Sequence, residues 1–414
     1  MKKKTDRKSF CLVLLAWLVY ATSYLGKVNY SANIAQIVDH YNITKAEAGL
    51  VPTFFFFAYG IGQVINGVLC KKYNIKWMVG ISLALSGFIN LAVALTTDFS
   101  VVKWLWMANG LLLSALWPTL IRLLSENLPQ KDLGKAGVIM GTTVATGTLV
   151  IYAASSVYAV FDHFKLAFYT AAFAAIAVSI LWLFFFRRVV GEEKKGKTEE
   201  TSHLTEDQIK MSGLRRKNTL VSLCVLCFCA IGVNLIKDGL TTWVPSILKE
   251  EASVSDALSI LLTLFLPIVA IFGNAVALYM HNRIPGYTTQ CLVTFSVMAI
   301  MIGTIIGILS SQMVIAILIV LVIVNLLASS LNSLVTSIFP MFMRDTLDSG
   351  KVAGVLNGFC YLGSTISSYG LGAVADHFGW GAVFRCLLGA CITASLVCLF
   401  HRIWEKSRNR ADDR

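Results

Sequence analysis

Stretches of eighteen or more predominantly apolar residues recur along the whole chain, and they decide most of what it can fold into. Segments of that length and character suit helices crossing the ~30 Å hydrocarbon core of a bilayer. Twelve are read, over 10–37, 48–70, 77–96, 101–124, 136–160, 166–187, 219–248, 257–280, 288–310, 313–340, 352–375 and 381–403. With 56% hydrophobic and 14% charged residues among 414, the composition lies outside the range of soluble domains. A transmembrane β-barrel would need short strands of alternating polarity, and no stretch alternates. The expectation is an all-α protein with the lipid bilayer as its surroundings. The basic segment Met1 to Lys8 leads into an apolar run too long for a signal core, with no small-residue cleavage site, and reads as an uncleaved first helix.

The charges sort by loop. If the N-terminus is cytoplasmic, 27 Lys and Arg fall on its side and only Lys45, Lys103, Lys165 and Lys249 on the other. The positive-inside rule then puts both termini in the cytoplasm of a multi-pass cell (plasma or inner) membrane protein. The net charge of +12 is therefore topology, not a nucleic-acid signal. The ten cysteines fall in or at the ends of spans. Cys224, Cys227 and Cys229 lie in apolar helix with no histidine nearby in sequence, and read as small buried hydrophobes. No metal or cofactor is implied.

A polar stretch from Arg187 to Asn218 divides six spans from six. The halves repeat weakly. Lys27 and Lys237 sit in spans one and seven, 210 residues apart. Asp162-His163-Phe164 and Asp376-His377-Phe378 follow spans five and eleven, 214 apart. Two six-helix halves with a long central loop are the pattern of the major facilitator fold, in which two pseudo-symmetric bundles rock around a midplane site. The expected parts are a bundle over 1–188, a cytoplasmic linker over 189–217, a second bundle over 218–404 and a tail over 405–414. A charge at bilayer depth is costly and marks function by default.

Polar stripes single out particular helix faces. Span one carries Tyr20, Tyr24, Lys27 and Ser31. Span seven carries Asn234, Lys237, Asp238 and Thr241. Span eleven carries Asn357, Tyr361, Ser364, Thr365 and Ser368. Spans five and ten add Thr142, Thr143 and Thr146, and Asn325, Ser329, Asn332, Ser333 and Thr336. Such residues also glue transmembrane helices together. Lys27 would be internal if its helix runs on to Val38. A local pair of Lys237 with Asp238 is one reading, but neighbours on a helix point about 100° apart and pair poorly, and Asp238 could instead partner a lysine on another helix. Arg122 and Glu126 read as an i, i+4 pair, Arg385 as a snorkelling residue or a structural pair, and Trp117-Pro118 as a kink. Asp238 is the one acid placed well inside a span, and the six histidines lie in loops or at span ends.

At these residues the chain resembles the organophosphate:phosphate antiporter family, which includes glycerol-3-phosphate and sugar-phosphate transporters. The resemblance rests on Tyr24-Leu25-Gly26-Lys27-Val28-Asn29-Tyr30, on Lys237-Asp238-Gly239 with Trp243-Val244-Pro245, and on Gly358-Phe359-Cys360-Tyr361-Leu362-Gly363-Ser364. It implies that Lys27 and Lys237 occupy the positions of the paired basic residues that hold phosphate, and that Tyr20, Tyr24, Tyr59 and Tyr361 match cavity tyrosines. The chain departs in having lysine at the first basic position, Gln63 where some members have lysine, and Ala145 where some have histidine. Lys71 and Asn74 stand in the loop motif that normally bears an acid and a glycine.

The resulting expectation is a monomeric secondary transporter, not an enzyme, moving a small organic anion by alternating access. A phosphorylated metabolite exchanged for phosphate heads the list. Lys27, Lys237, Tyr20, Tyr24, Tyr59, Gln63, Asn234, Asp238, Asn357 and Tyr361 form its substrate site. The alternatives are a proton-coupled symporter of a carboxylate or sugar acid, and a transporter-like sugar-phosphate sensor. Gly26, where related symporters carry an acid, argues against the first.

Overall fold

The computed structural model describes residues 2–69, 73–190, 206–309, 313–339 and 349–412. Most of the expected linker, together with Lys71 and Lys72, lies outside them. The helices are α1 (Lys2–Ala32), α2 (Ile34–Tyr41), α3 (Lys45–Leu69), α4 (Ile75–Leu95), α5 (Phe99–Ser114), α6 (Leu116–Asn127), α7 (Gln130–Gly141), α8 (Thr143–Val160) and α9 (Lys165–Val189). They continue as α10 (Glu206–Glu251), α11 (Asp256–Thr263), α12 (Phe265–Ala270), α13 (Gly273–Arg283), α14 (Tyr287–Ile308), α15 (Val314–Ser333) with a π turn over Leu334–Ile338, and α16 (Ser349–Asp412). Among the described residues, eleven apolar stretches are long enough to cross a membrane, the last being Gly354–Arg408 at 55 residues. At ~1.5 Å per residue, a helix of that length would far exceed a bilayer. It is two helices meeting at Gly379, whose φ of 74° is left-handed. Each of the twelve expected segments therefore has a helical counterpart among the described residues.

Several spans are broken where the sequence suggests continuity. Asn33 interrupts the first because its side chain donates to the Asn29 carbonyl at 2.8 Å and to Ser155 Oγ at 2.9 Å, competing with the backbone ladder. The fifth breaks at Thr142. There the Thr142 hydroxyl donates to the Ile139 carbonyl at 2.8 Å and accepts from Trp17 Nε1 at 2.9 Å. The fourth breaks at Ala115, next to the expected kink. Pro118 has no N–H, so the Ser114 carbonyl four residues earlier loses its helical donor. Gln63 Nε2 reaches that carbonyl at 3.3 Å.

The polarity is inside-out relative to a soluble protein. Phe57, Ile61, Val64 and Ile65 on α3, and Trp77, Ile81, Leu85 and Phe88 on α4, form exposed apolar faces, while Ser86, Asn90 and Asn109 are fully buried. Lipid as solvent accounts for the first, and internal hydrogen bonding for the second.

The chain packs as two compact units. One comprises Met1–Lys197 with Thr241–Ile271, the other Thr198–Leu240 with Phe272–Arg414. In the first, Leu25 and Ala32 of α1, Ile151 and Tyr152 of α8, Ala167 and Ala171 of α9 and Ile260 of α11 share one core. Each unit contains a close helix crossing at a glycine. A Cβ on Gly147 of α8 would fall 2.3 Å from the Ala21 carbonyl oxygen, and one on Gly363 of α16 would fall 2.2 Å from that of Ile231. The two glycines are 216 residues apart and the two carbonyl residues 210, so the crossings show the internal repeat as packing.

Candidate functional site

In the first unit, Lys27 lies on α1 one turn beyond Tyr24, and the backbone there is fixed from behind. The Gly26 carbonyl accepts from Asn109 Nδ2 at 2.8 Å and, more loosely, from Asn90 Nδ2 at 3.5 Å. Asn90 Oδ1 accepts from Asn29 at 2.8 Å, and Asn109 Oδ1 from Ser86 at 2.6 Å. A Cβ at Gly26 would sit 2.7 Å from Asn90 Nδ2, so an acidic side chain there would displace this network. The Lys27 ammonium lies 4.2 Å from the Tyr59 ring centroid, 4.9 Å from Tyr24 and 5.7 Å from Phe55. Cation–π attraction of about 0.5–2 kcal/mol lowers the cost of keeping a charge at this depth. The rings carry no net charge, so they do not cancel that of the lysine. Phe55 stacks on Tyr59, and Tyr20 packs on Tyr24 and, at 4.7 Å, on Trp117. The structure thus brings Tyr20, Tyr24, Lys27 and Tyr59 together. It ties Gln63 to the break at Pro118 instead of to that cluster.

In the second unit, Lys237 and Asp238 pair with each other. Nζ lies 3.1 Å from Asp238 Oδ1, with side chains 29% and 16% exposed. This corrects the expectation that adjacent residues would pair poorly: the flexible four-carbon lysine stem spans the angular offset. Asp238 Oδ2 accepts from Ser364 Oγ on α16 and from Asn234 Nδ2 at 3.4 Å. Asn234 Oδ1 in turn accepts from Asn332 Nδ2 on α15, which turns the Asn234 amide group toward Asp238. Asn357 and Tyr361 are half-buried on the α16 face that carries Ser364.

Arg122 and Glu126 form the expected pair at 2.7 Å, and Arg385 is exposed. Cys227 and Cys229 are buried, but Cys224 is exposed. The asparagine network behind Gly26 was missed; polar residues spaced along apolar spans were its only sequence trace. Also missed was a charged cluster in the first unit. There Lys249 pairs with Asp39 and, at 2.8 Å, with Asp256, while Lys45 meets Glu250 at 3.2 Å.

Twelve apolar segments with buried polar networks and an internal repeat define a polytopic α-helical membrane protein of the secondary-transporter type. The chain belongs to the Major Facilitator Superfamily, whose family model matches residues 16–367. Membrane sensor protein UhpC of Escherichia coli (strain K12) is 22% identical over 253 residues, covering 59% of this chain and 58% of the relative. The chain thus spans a little over half the length of that relative. A probable hexose phosphate transport protein of Chlamydia trachomatis is 20% identical over 94% of this chain and 90% of its own. These relatives bear out the resemblance read from the sequence. The fold is similar to that of a bacterial homolog to the human lysosomal transporter Spinster, in an inward-facing and occupied conformation. That likeness has a TM-score of 0.71 at 13% identity, covering 95% of this chain and 96% of that one.

Proposed function

We propose that the protein moves a phosphorylated metabolite, of the sugar-phosphate class, in exchange for phosphate by alternating access. The observation that carries this reading is a lysine in each unit, at matched places in the repeat, each set in a polar or aromatic cluster within otherwise apolar helices. Lys27 and Lys237 supply ammonium groups to the anionic head, and Tyr20, Tyr24, Tyr59, Asn357 and Tyr361 hydrogen-bond or wall the remainder. Residues 1–188 and 218–404 are the rocking halves of a monomer in the cell membrane, with both termini cytoplasmic. Charge-assisted contacts to phosphate are roughly twice as strong as neutral ones, and they favour a closed state in which both lysines engage one anion.

The relatives' names support a phosphorylated sugar as ligand. The first relative's name, a membrane sensor, supports a second reading in which the ligand is bound and signalled instead of carried. Vesicles reconstituted with the protein and loaded with phosphate separate the readings. Accumulation of labelled glucose 6-phosphate that needs internal phosphate and survives a protonophore is the expected result. Binding without accumulation would favour the sensor, and uptake that collapses with the proton gradient would overturn exchange.

A further inference from the structure

We infer that Asp238 is the counter-ion that sets the ligand's charge, so that the site takes a phosphate ester carrying a single negative charge. This rests on the assignment of Lys27 and Lys237 to the anion. The pairing with Lys237 alone would be an incidental contact between neighbours. The remaining contacts show that the carboxylate is built in. One oxygen takes Lys237 Nζ at 3.1 Å, and the other takes the Ser364 hydroxyl and the Asn234 amide. That amide is aimed by Asn332. Donors from two helices, α10 and α16, therefore converge on one carboxylate that is only 16% exposed, and α15 orients one of them through Asn332.

A carboxylate held this way cancels the charge of Lys237. The sequence puts no other acid well inside an apolar span. The two ammonium groups and one carboxylate assigned to the ligand then leave a single positive charge. At low effective dielectric an unbalanced charge is costly. A monoanion balances this set, whereas a dianion leaves it negative. Among the described residues, the titratable groups beside Asp238 are Lys237 on its own helix and the Cys360 thiol of α16. From α15 the Asn332 amide reaches Asn234, which in turn donates to Asp238.

A phosphate monoester loses its second proton near pH ~6, and well above that its monoanion fraction falls about tenfold per pH unit. A phosphodiester keeps one charge throughout. The test measures the dissociation constants of glucose 6-phosphate and of its methyl phosphodiester between pH 6 and 8, on the full-length purified protein. The parent is expected to lose about tenfold in affinity for the monoester from pH 7 to 8, as the singly charged form is depleted. Its affinity for the diester should stay constant, and at pH 8 the diester should bind better. Asp238→Asn should abolish the monoester slope and bind the dianion at pH 8 about tenfold or more better than the parent, whereas Asp238→Glu should keep the slope. A flat or rising monoester profile in the parent overturns the inference, as does an unchanged slope in Asp238→Asn. If Asp238→Asn does not fold, the two probes on the parent still decide. Failure of both compounds to bind at any pH would instead overturn the phosphate-ester reading itself.

Discussion

The close crossing of α16 and α10 predicts a sign reversal between two glycine substitutions in the same unit. A Cβ on Gly363 would lie 2.2 Å from the Ile231 carbonyl oxygen and 3.1 Å from its Cα, against 3.4–4 Å for ordinary contact. The clash is with backbone, so no rotamer relieves it, and the two helices must part by about 1 Å. Radial gaps of ~0.5–1 Å forfeit a quarter to a half of each contact's attraction, and overpacked cores lose about 1–3 kcal/mol. For a unit of roughly 150–250 residues this corresponds to about 2–4 °C per kcal/mol. Gly307, on α14, has nothing within 4 Å of its ideal Cβ. Gly307→Ala should therefore stabilise by about 0.5–1 kcal/mol through helix propensity alone. The assay follows from the cysteines: Cys227, Cys229, Cys291, Cys360, Cys391 and Cys398 are all buried and all belong to this unit. A thiol-reactive dye during heating reads its unfolding directly. Gly363→Ala should unfold several degrees below the parent and Gly307→Ala at or above it. Equal behaviour of the two variants, or a neutral Gly363→Ala, would refute the packing argument.

Two further outcomes follow from individual bonds. Gln63→Leu leaves the Ser114 carbonyl without its side-chain donor at the Pro118 break, and should lower stability by about 1–3 kcal/mol in thermal unfolding, the cost of an unmet buried group. Lys249→Met removes the pairs with Asp39 and Asp256. Because these side chains are 25–62% exposed, the loss should be about 0.2–1 kcal/mol per pair and should shrink as salt is raised.

Hydropathy and loop charge made the segments and their number legible, because both depend only on which residues occur in a window. The repeat was legible as the Lys27–Lys237 spacing, and it reappears as the Gly147 and Gly363 crossings. The break at Trp117-Pro118 was legible because proline's missing N–H is a property of one residue. The breaks at Asn33 and Thr142 were not, since they depend on side chains capturing carbonyls and on partners at Ser155 and Trp17, more than a hundred residues away. The same holds for the candidate site. The polar stripes were readable as periodicity. That Asn332 turns Asn234 toward Asp238, or that Asn109 holds the carbonyl behind Lys27, depends on contacts between helices.

The central claim is that Lys27 and Lys237 hold the ligand's anionic head. Its most direct test is the affinity of purified protein for glucose 6-phosphate in Lys27→Gln and Lys237→Gln, with Lys→Arg at each position to retain the charge. A hydrogen bond to a charged group contributes about 1.5–3 kcal/mol, and 1.4 kcal/mol is roughly tenfold in affinity. Each glutamine variant should therefore bind about ten- to a hundredfold more weakly, and each arginine variant should retain most of the affinity. Parent-like affinity in either glutamine variant, with the protein folded, would contradict the account.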